Sequence, residues 1–193
     1  MGRPRAFDVD VALEAAMRVF WQKGYEGASL DDLTKAMGIN RPSLYATFGD
    51  KEVLFRKALD RYAEGPASFV RQALEEKSAR AAAEKVLRGT AEMVTCPKNP
   101  HGCLLVQGAL APGEASAGVC RDLLSRRKLG VTLMSRRFKR AKAEGDLPRN
   151  TDPSALALYV ASVAHGISVQ AAGGASRKEL FQVVEMAMKA WPN

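Results

Sequence analysis

The chain has 193 residues, 47% of them hydrophobic, with a formal net charge of +8 and three cysteines. That length suits one or two small domains with a real core; no run approaches the ~18 consecutive apolar residues of a membrane span, and the opening MGRPRAFD lacks an apolar signal region. A soluble, cytoplasmic protein with no membrane partner is therefore expected, and the odd cysteines Cys96, Cys103 and Cys120, without metal-finger spacing, argue against a disulfide framework or a zinc module.

A positive charge suggests a polyanionic partner, but its location weakens that inference. From Met1 to Tyr62 basic and acidic residues nearly cancel, and the excess lies between Arg121 and Lys142, where a solvated helix face is expected. Evidence for a nucleic-acid partner has to come from local pattern.

Gly2-Arg3-Pro4-Arg5 precedes any periodic segment and reads as a flexible arm, with Arg3 and Arg5 suited to phosphates or a narrow minor groove. Asp8 opens a first helix whose apolar positions Val9, Leu13, Ala16, Val19 and Phe20 recur three or four apart, ending at Gly24. Ser29 is placed to cap a second helix, with Asp31 and Asp32 in its first turn and Leu30, Leu33, Ala36 and Met37 as its apolar stripe. Gly38 ends it, since glycine adopts the left-handed cap conformation without a steric penalty. Asn40 caps the third, with Pro42 in the first turn, where a missing N–H costs nothing. Two short helices joined by a glycine turn are the pattern of a helix-turn-helix.

The run Ser43, Leu44-Tyr45, Phe48 and Asp50-Lys51-Glu52, preceded by Ala15-Ala16, Phe20, Gly24-Tyr25 and Ala28-Ser29-Leu30, resembles the TetR family of bacterial transcriptional repressors. The resemblance implies an all-α protein of about nine helices. A three-helix DNA-binding unit, 1–50, would be followed by a helical effector-binding and dimerisation bundle, 51–193. It further implies a homodimer on a pseudo-palindromic double-stranded operator and an unidentified small-molecule effector. On the DNA side the expected residues are Ser29, Arg41, Ser43, Tyr45, Thr47 and Lys51 beside the arm. Arg41 has the chemistry to read guanine or hold a phosphate; Ser43 is short enough to let bases approach. Tyr45, Lys51 and Ser29 would hold phosphates by resemblance. Leu44 and Phe48 are expected to pack inside.

Asp50 caps a fourth helix, the natural lever between the two parts, and Gly65-Pro66 interrupts it before a stretch from Phe69 to Glu76. Ser78 starts an alanine-rich helix to about Val94; Cys96 to Gly102, with two prolines, is a loop. Short helix Cys103–Leu110 and long helix Ala117–Glu144 follow, the latter closed by Gly145-Asp146-Leu147-Pro148. Asp152-Pro153 opens a helix to about Ala172, and Ser176 one to Trp191; by resemblance this pair forms the dimer interface.

Cys103, after Gly102 and near His101 and Lys98, is the candidate effector sensor: a helix start beside cations lowers a thiol pKa. The alternative is a small buried hydrophobe, with a non-covalent effector in the same central helices. Cys96, His101 and Cys103 could together ligate a soft metal such as copper, a lesser reading. His165 is read as a packing residue on a helix facing the dimer. No paired carboxylates, Ser/His/Asp set, phosphate loop or cofactor fingerprint supports the rival reading of an all-α enzyme or non-regulatory binding module.

Overall fold

The computed structural model describes residues 7–110 and 117–192; Arg3 and Arg5 lie outside them. Among the described residues there are ten helices and no strand: α1 (Val9–Gly27), α2 (Leu30–Met37), α3 (Arg41–Phe48), α4 (Lys51–Glu64), α5 (Phe69–Ala73), α6 (Ala79–Val94), α7 (Leu104–Leu110), α8 (Ala117–Ala143), α9 (Pro153–Ala172) and α10 (Arg177–Lys189). The sequence-based expectation of about nine is short by one because the stretch after Pro66 forms the separate helix α5.

Local chemistry sets most of the boundaries. The side chains of Asp8, Ser29, Asn40, Asp50, Ser78, Asp152 and Ser176 each accept from backbone N–H groups of the helix that follows. A cap of this kind stabilises by about 1 kcal/mol. Gly24, at φ 71°, breaks the regular path of α1 where the sequence places its end, but helical hydrogen bonding resumes as far as Gly27. The stretch after Phe69 stops at Ala73 and not at Glu76, because Leu74, Glu75 and Glu76 donate three residues back and tighten the chain into turns. Arg137 of α8 donates to the carbonyl oxygen of Glu76 at 2.7 Å and so gives the turn after α5 a partner in the bundle.

α1 is the brace of the N-terminal part. Its Ala12, Ala16, Met17, Phe20 and Trp21 are buried, packed against α2 on one side and α4 on the other. Phe20, Tyr25 and Phe55 form an aromatic cluster with centroid separations of 4.9 to 6.3 Å, so the first half of α4 shares the core of α1. Its second half faces elsewhere. Leu59 and Tyr62 meet the C-terminal bundle, in which α9 packs on α6, α8 and α10. α7 sits at the junction and touches α1, α4, α8 and α9.

By length and mean hydropathy (1.4) α9 alone among the described helices could cross a membrane. It is the central helix of the bundle, and a third of the apolar stretch is buried within the chain. Leu158, Tyr159 and Val169 of α9 and Val183 and Met186 of α10 are exposed, and together they give the last two helices unpartnered apolar surface.

Candidate nucleic-acid interface and central cavity

The helix-turn-helix is built by reciprocal caps. The Ser29 hydroxyl accepts from the Asp32 amide at 3.0 Å, while an Asp32 carboxylate oxygen accepts from the Ser29 amide at 3.1 Å and hydroxyl at 2.8 Å. Lys23 adds a bond of 2.6 Å to the other Asp32 oxygen, and these partners, Lys23 first, pull the carboxyl down to about 2. Gly38 takes the left-handed conformation (φ 66°, ψ 27°), and Ile39 N–H reaches back to Thr34 carbonyl oxygen to close the cap. Asn40 Oδ1 then accepts from Ser43 N–H at 2.9 Å and starts α3.

α3 offers one face to solvent. Leu44 and Phe48 are buried, as the sequence suggests, while Arg41, Pro42, Tyr45 and Ala46 are exposed and Ser43 and Thr47 half-buried. Ala36, assigned to the apolar stripe of α2, is exposed; Leu33 and Met37 are the buried residues of that helix. The structure also gives three DNA-side residues partners that sequence reasoning missed. Arg41 is paired with Asp31 of α2 at 2.7 Å. Ser29 has its hydroxyl and amide turned to Asp32. Lys51 lies half-buried over the Tyr25 ring, 4.5 Å from its centroid, and burial lowers its pKa. Asp31 and Asp32, visible in the sequence as first-turn carboxylates, were the available signal.

The second feature is a cavity of about 300 Å³ between α4 to α9, lined mostly by apolar side chains. Tyr62 and Cys103 belong to its wall, and the Tyr62 hydroxyl lies 3.3 Å from both the Cys103 and Met93 sulfurs. Burial pushes the Cys103 thiol up, against the opposing pull of the Tyr62 hydrogen bond and the Val106 and Leu105 amides. The expected lowering of its pKa is therefore reversed: His101 and Lys98 are exposed, and the sulfur faces the interior. Among the described residues no three His, Cys, Asp or Glu gather to hold a metal, so Cys96, His101 and Cys103 do not form a ligand set. His165 lines the cavity, where burial and then Arg127 keep its pKa below the ordinary value. The basic run of α8 is likewise not a uniformly solvated face: Arg126 and Arg127 line the cavity, and Arg137 is buried.

Two sets of contacts tie cavity to interface. Arg56 of α4 donates to Asp122 of α8 at 2.6 Å and also pairs with Glu52, and Arg126 of α8 donates to Asp60 of α4 at 2.6 Å. On the other side Trp21 Nε1 donates to the Gly102 carbonyl oxygen at 2.9 Å, and Arg18 to that of Lys98 at 2.6 Å. The loop before Cys103 is thus hydrogen-bonded directly to α1.

A capped, solvent-facing helix on a buried brace, coupled through one helix to a cavity of ligand size, defines a helix-turn-helix transcriptional regulator. Residues 12–58 match the description "Bacterial regulatory proteins, tetR family", and the HTH-type transcriptional repressor ComR of Escherichia coli K12 is 35% identical across 99% of this chain and 92% of its own. The chain belongs to the TetR family. The uncharacterized HTH-type transcriptional regulator YezE of Bacillus subtilis 168 is 33% identical, covering 83% of this chain and 84% of its own. Among solved structures, a cysteine mutant of the TetR-family regulator CifR complexed with 26-bp double-strand operator DNA is 46% identical. It superposes with a TM-score of 0.94 over 98% of this chain and 100% of that one.

Proposed function

We propose that this chain is a dimeric repressor that holds a pseudo-palindromic operator through α3 and lets go when a small molecule occupies the central cavity. The observation that carries the reading is the double allegiance of α4: Phe55 is locked into the α1 aromatic cluster, while Leu59 and Tyr62 wall the cavity. An occupant that displaces Tyr62 must move α4 or strain it, and either changes the angle at which α3 is presented. A ligand shifts such an equilibrium only by its differential affinity for the two arrangements. Residues 1–50 then act as the reading unit and 51–193 as the sensing and dimerising unit, with the exposed apolar side chains of α9 and α10 as the surface a second copy covers. The work is done on DNA in the cytoplasm and needs no catalysis.

On the DNA side Arg41, Ser43 and Thr47 meet the groove, Tyr45, Lys51 and Ser29 the backbone phosphates, and Arg3 and Arg5 the flanking duplex. Arg41 must exchange Asp31 for its DNA partner, and a phosphate at Ser29 must share the site with the Asp32 carboxylate.

Cys103 is the sensing residue of the cavity wall. Its raised pKa favours a neutral thiol that reports on occupancy through Tyr62 and slows attack on electrophiles, so a modifying agent acts on the same contact only once the cavity holds it beside the sulfur. Fluorescence anisotropy on DNA flanking the gene tests this: an alkylating agent should release the wild type, Cys96→Ser and Cys120→Ser while Cys103→Ser stays bound. Equal release of Cys103→Ser would remove the covalent route and leave non-covalent occupancy.

A further inference from the structure

We infer that the cavity takes a compact apolar anion, a carboxylate on a hydrocarbon body, with Arg127 as its charge partner. The inference rests on the cavity-effector reading above and adds the chemical class of the effector. At about 300 Å³ the space lies at the small end of ordinary ligand pockets. Most of its wall is aliphatic or aromatic, contributed by residues such as Val70, Val86, Leu105, Val131 and Val160. An apolar body is stabilised there by leaving water.

The polar part of the wall has one sign. Among the described residues every charged side chain lining the cavity is an arginine (Arg71, Arg126 and Arg127), and none is a carboxylate. Arg126 is satisfied by Asp60 at 2.6 Å. Arg127 differs: among the described residues it has no ion pair, and its Nε is buried without a hydrogen-bond partner. A buried donor on a cation that goes unmet is costly, so the site is short of an acceptor that carries negative charge. His165, on the facing helix α9, stays neutral beside Arg127 and brings no competing positive charge. A planar carboxylate matches the guanidinium fork.

Gly130, one turn along α8 from Arg127, also lines the cavity, and a Cβ added there would meet nothing within 4 Å. A larger side chain therefore has room for its first atom, and Gly130→Leu, with its unfolding midpoint checked against the wild type, supplies the reduced-cavity control. The experiment is calorimetric titration of the full chain with octanoate and with 1-octanol, which share a body and differ in charge. The wild type should bind octanoate at least tenfold more tightly than octanol. Arg127→Met should lose that preference while keeping its octanol affinity, Arg127→Lys should retain part of it, and Gly130→Leu should bind neither. Equal affinity of the wild type for the two probes, or a preference that survives in Arg127→Met, overturns the anion inference. If Arg127→Met fails to fold, the wild-type ratio and its reduction in Arg127→Lys still decide the matter, and absence of binding of both probes to the wild type refutes it. The same samples on flanking DNA separate the two levels. Release by both probes alike leaves the effector reading standing without the anion, and tight octanoate binding without release does the reverse.

Discussion

Asp32 serves two structural purposes: it caps α2 from within and anchors Lys23 of α1 to it, which fixes the first helix of the motif against its brace. Its folded pKa of about 2 lies below the ordinary aspartate value of roughly 3.9. A depressed acid contributes stability that is complete above the unfolded pKa and is lost as pH falls through the folded one. Urea unfolding midpoints of Asp32→Asn and the wild type should therefore differ by a constant amount down to about pH 4 and converge toward pH 2. A gap that persists undiminished at pH 2 would contradict the assigned contacts. Arg41 gives the second test at this scale. Its exposed pair with Asp31 holds the guanidinium near α2 and contributes little to the fold, as is usual for solvated pairs. Arg41→Ala should weaken operator binding about tenfold or more while leaving the unfolding midpoint nearly unchanged. A loss confined to one base-pair position marks base reading, an even loss over all operator variants marks a phosphate contact, and unchanged affinity removes Arg41 from the interface.

At the scale of elements, close helix packing in the bundle depends on small residues. Gly89 of α6 faces Phe69 of α5 so closely that a Cβ at that position would stand 2.7 Å from the ring Cγ. Alanine gains ~1 kcal/mol of helix propensity over glycine. Overpacking costs ~1–3 kcal/mol, so Gly89→Ala should be net destabilising by up to ~2 kcal/mol. Because Phe69 also lines the cavity, the displaced ring should narrow it. A stabilised variant in chemical denaturation would show that Phe69 yields freely and that the α5–α6 contact is loose. What the sequence reveals about elements follows the range of the forces involved. Ser29, Asn40, Asp50, Ser78, Asp152 and Ser176 mark helix starts that the structure keeps, because a cap involves atoms two or three residues away. The end of α5 was missed because the turns that replace its expected last residues have a distant partner: the Glu76 carbonyl oxygen is satisfied by Arg137, 61 residues further on. His165 and Arg127 were misplaced for a related reason. Periodicity tells which side of α8 or α9 is apolar, but not that the helices facing it stand far enough apart to leave a cavity between them.

For the molecule as a whole, the elements form one continuous mechanical path. The cavity wall runs through Tyr62 into α4, α4 shares an aromatic core with α1, α1 holds α2 by packing and by the Lys23–Asp32 bond, and α2 packs on α3. The Arg56–Asp122 and Arg126–Asp60 pairs bind the lever to α8, and Trp21 binds α1 to the loop before Cys103. A single copy presents only one α3, and its last two helices leave Leu158, Val183 and Met186 in water. Both facts would be resolved by a two-fold partner that covers the apolar surface and supplies the second reading helix, as proposed above. Footprinting of the wild-type protein on the DNA flanking its gene tests this most directly. Two protected half-sites related by a dyad are expected, their centres about one helical turn (~34–36 Å) or a multiple apart, appearing together as protein is added. Protection of a lone half-site at saturation, or no protection that exceeds non-specific binding, would contradict it.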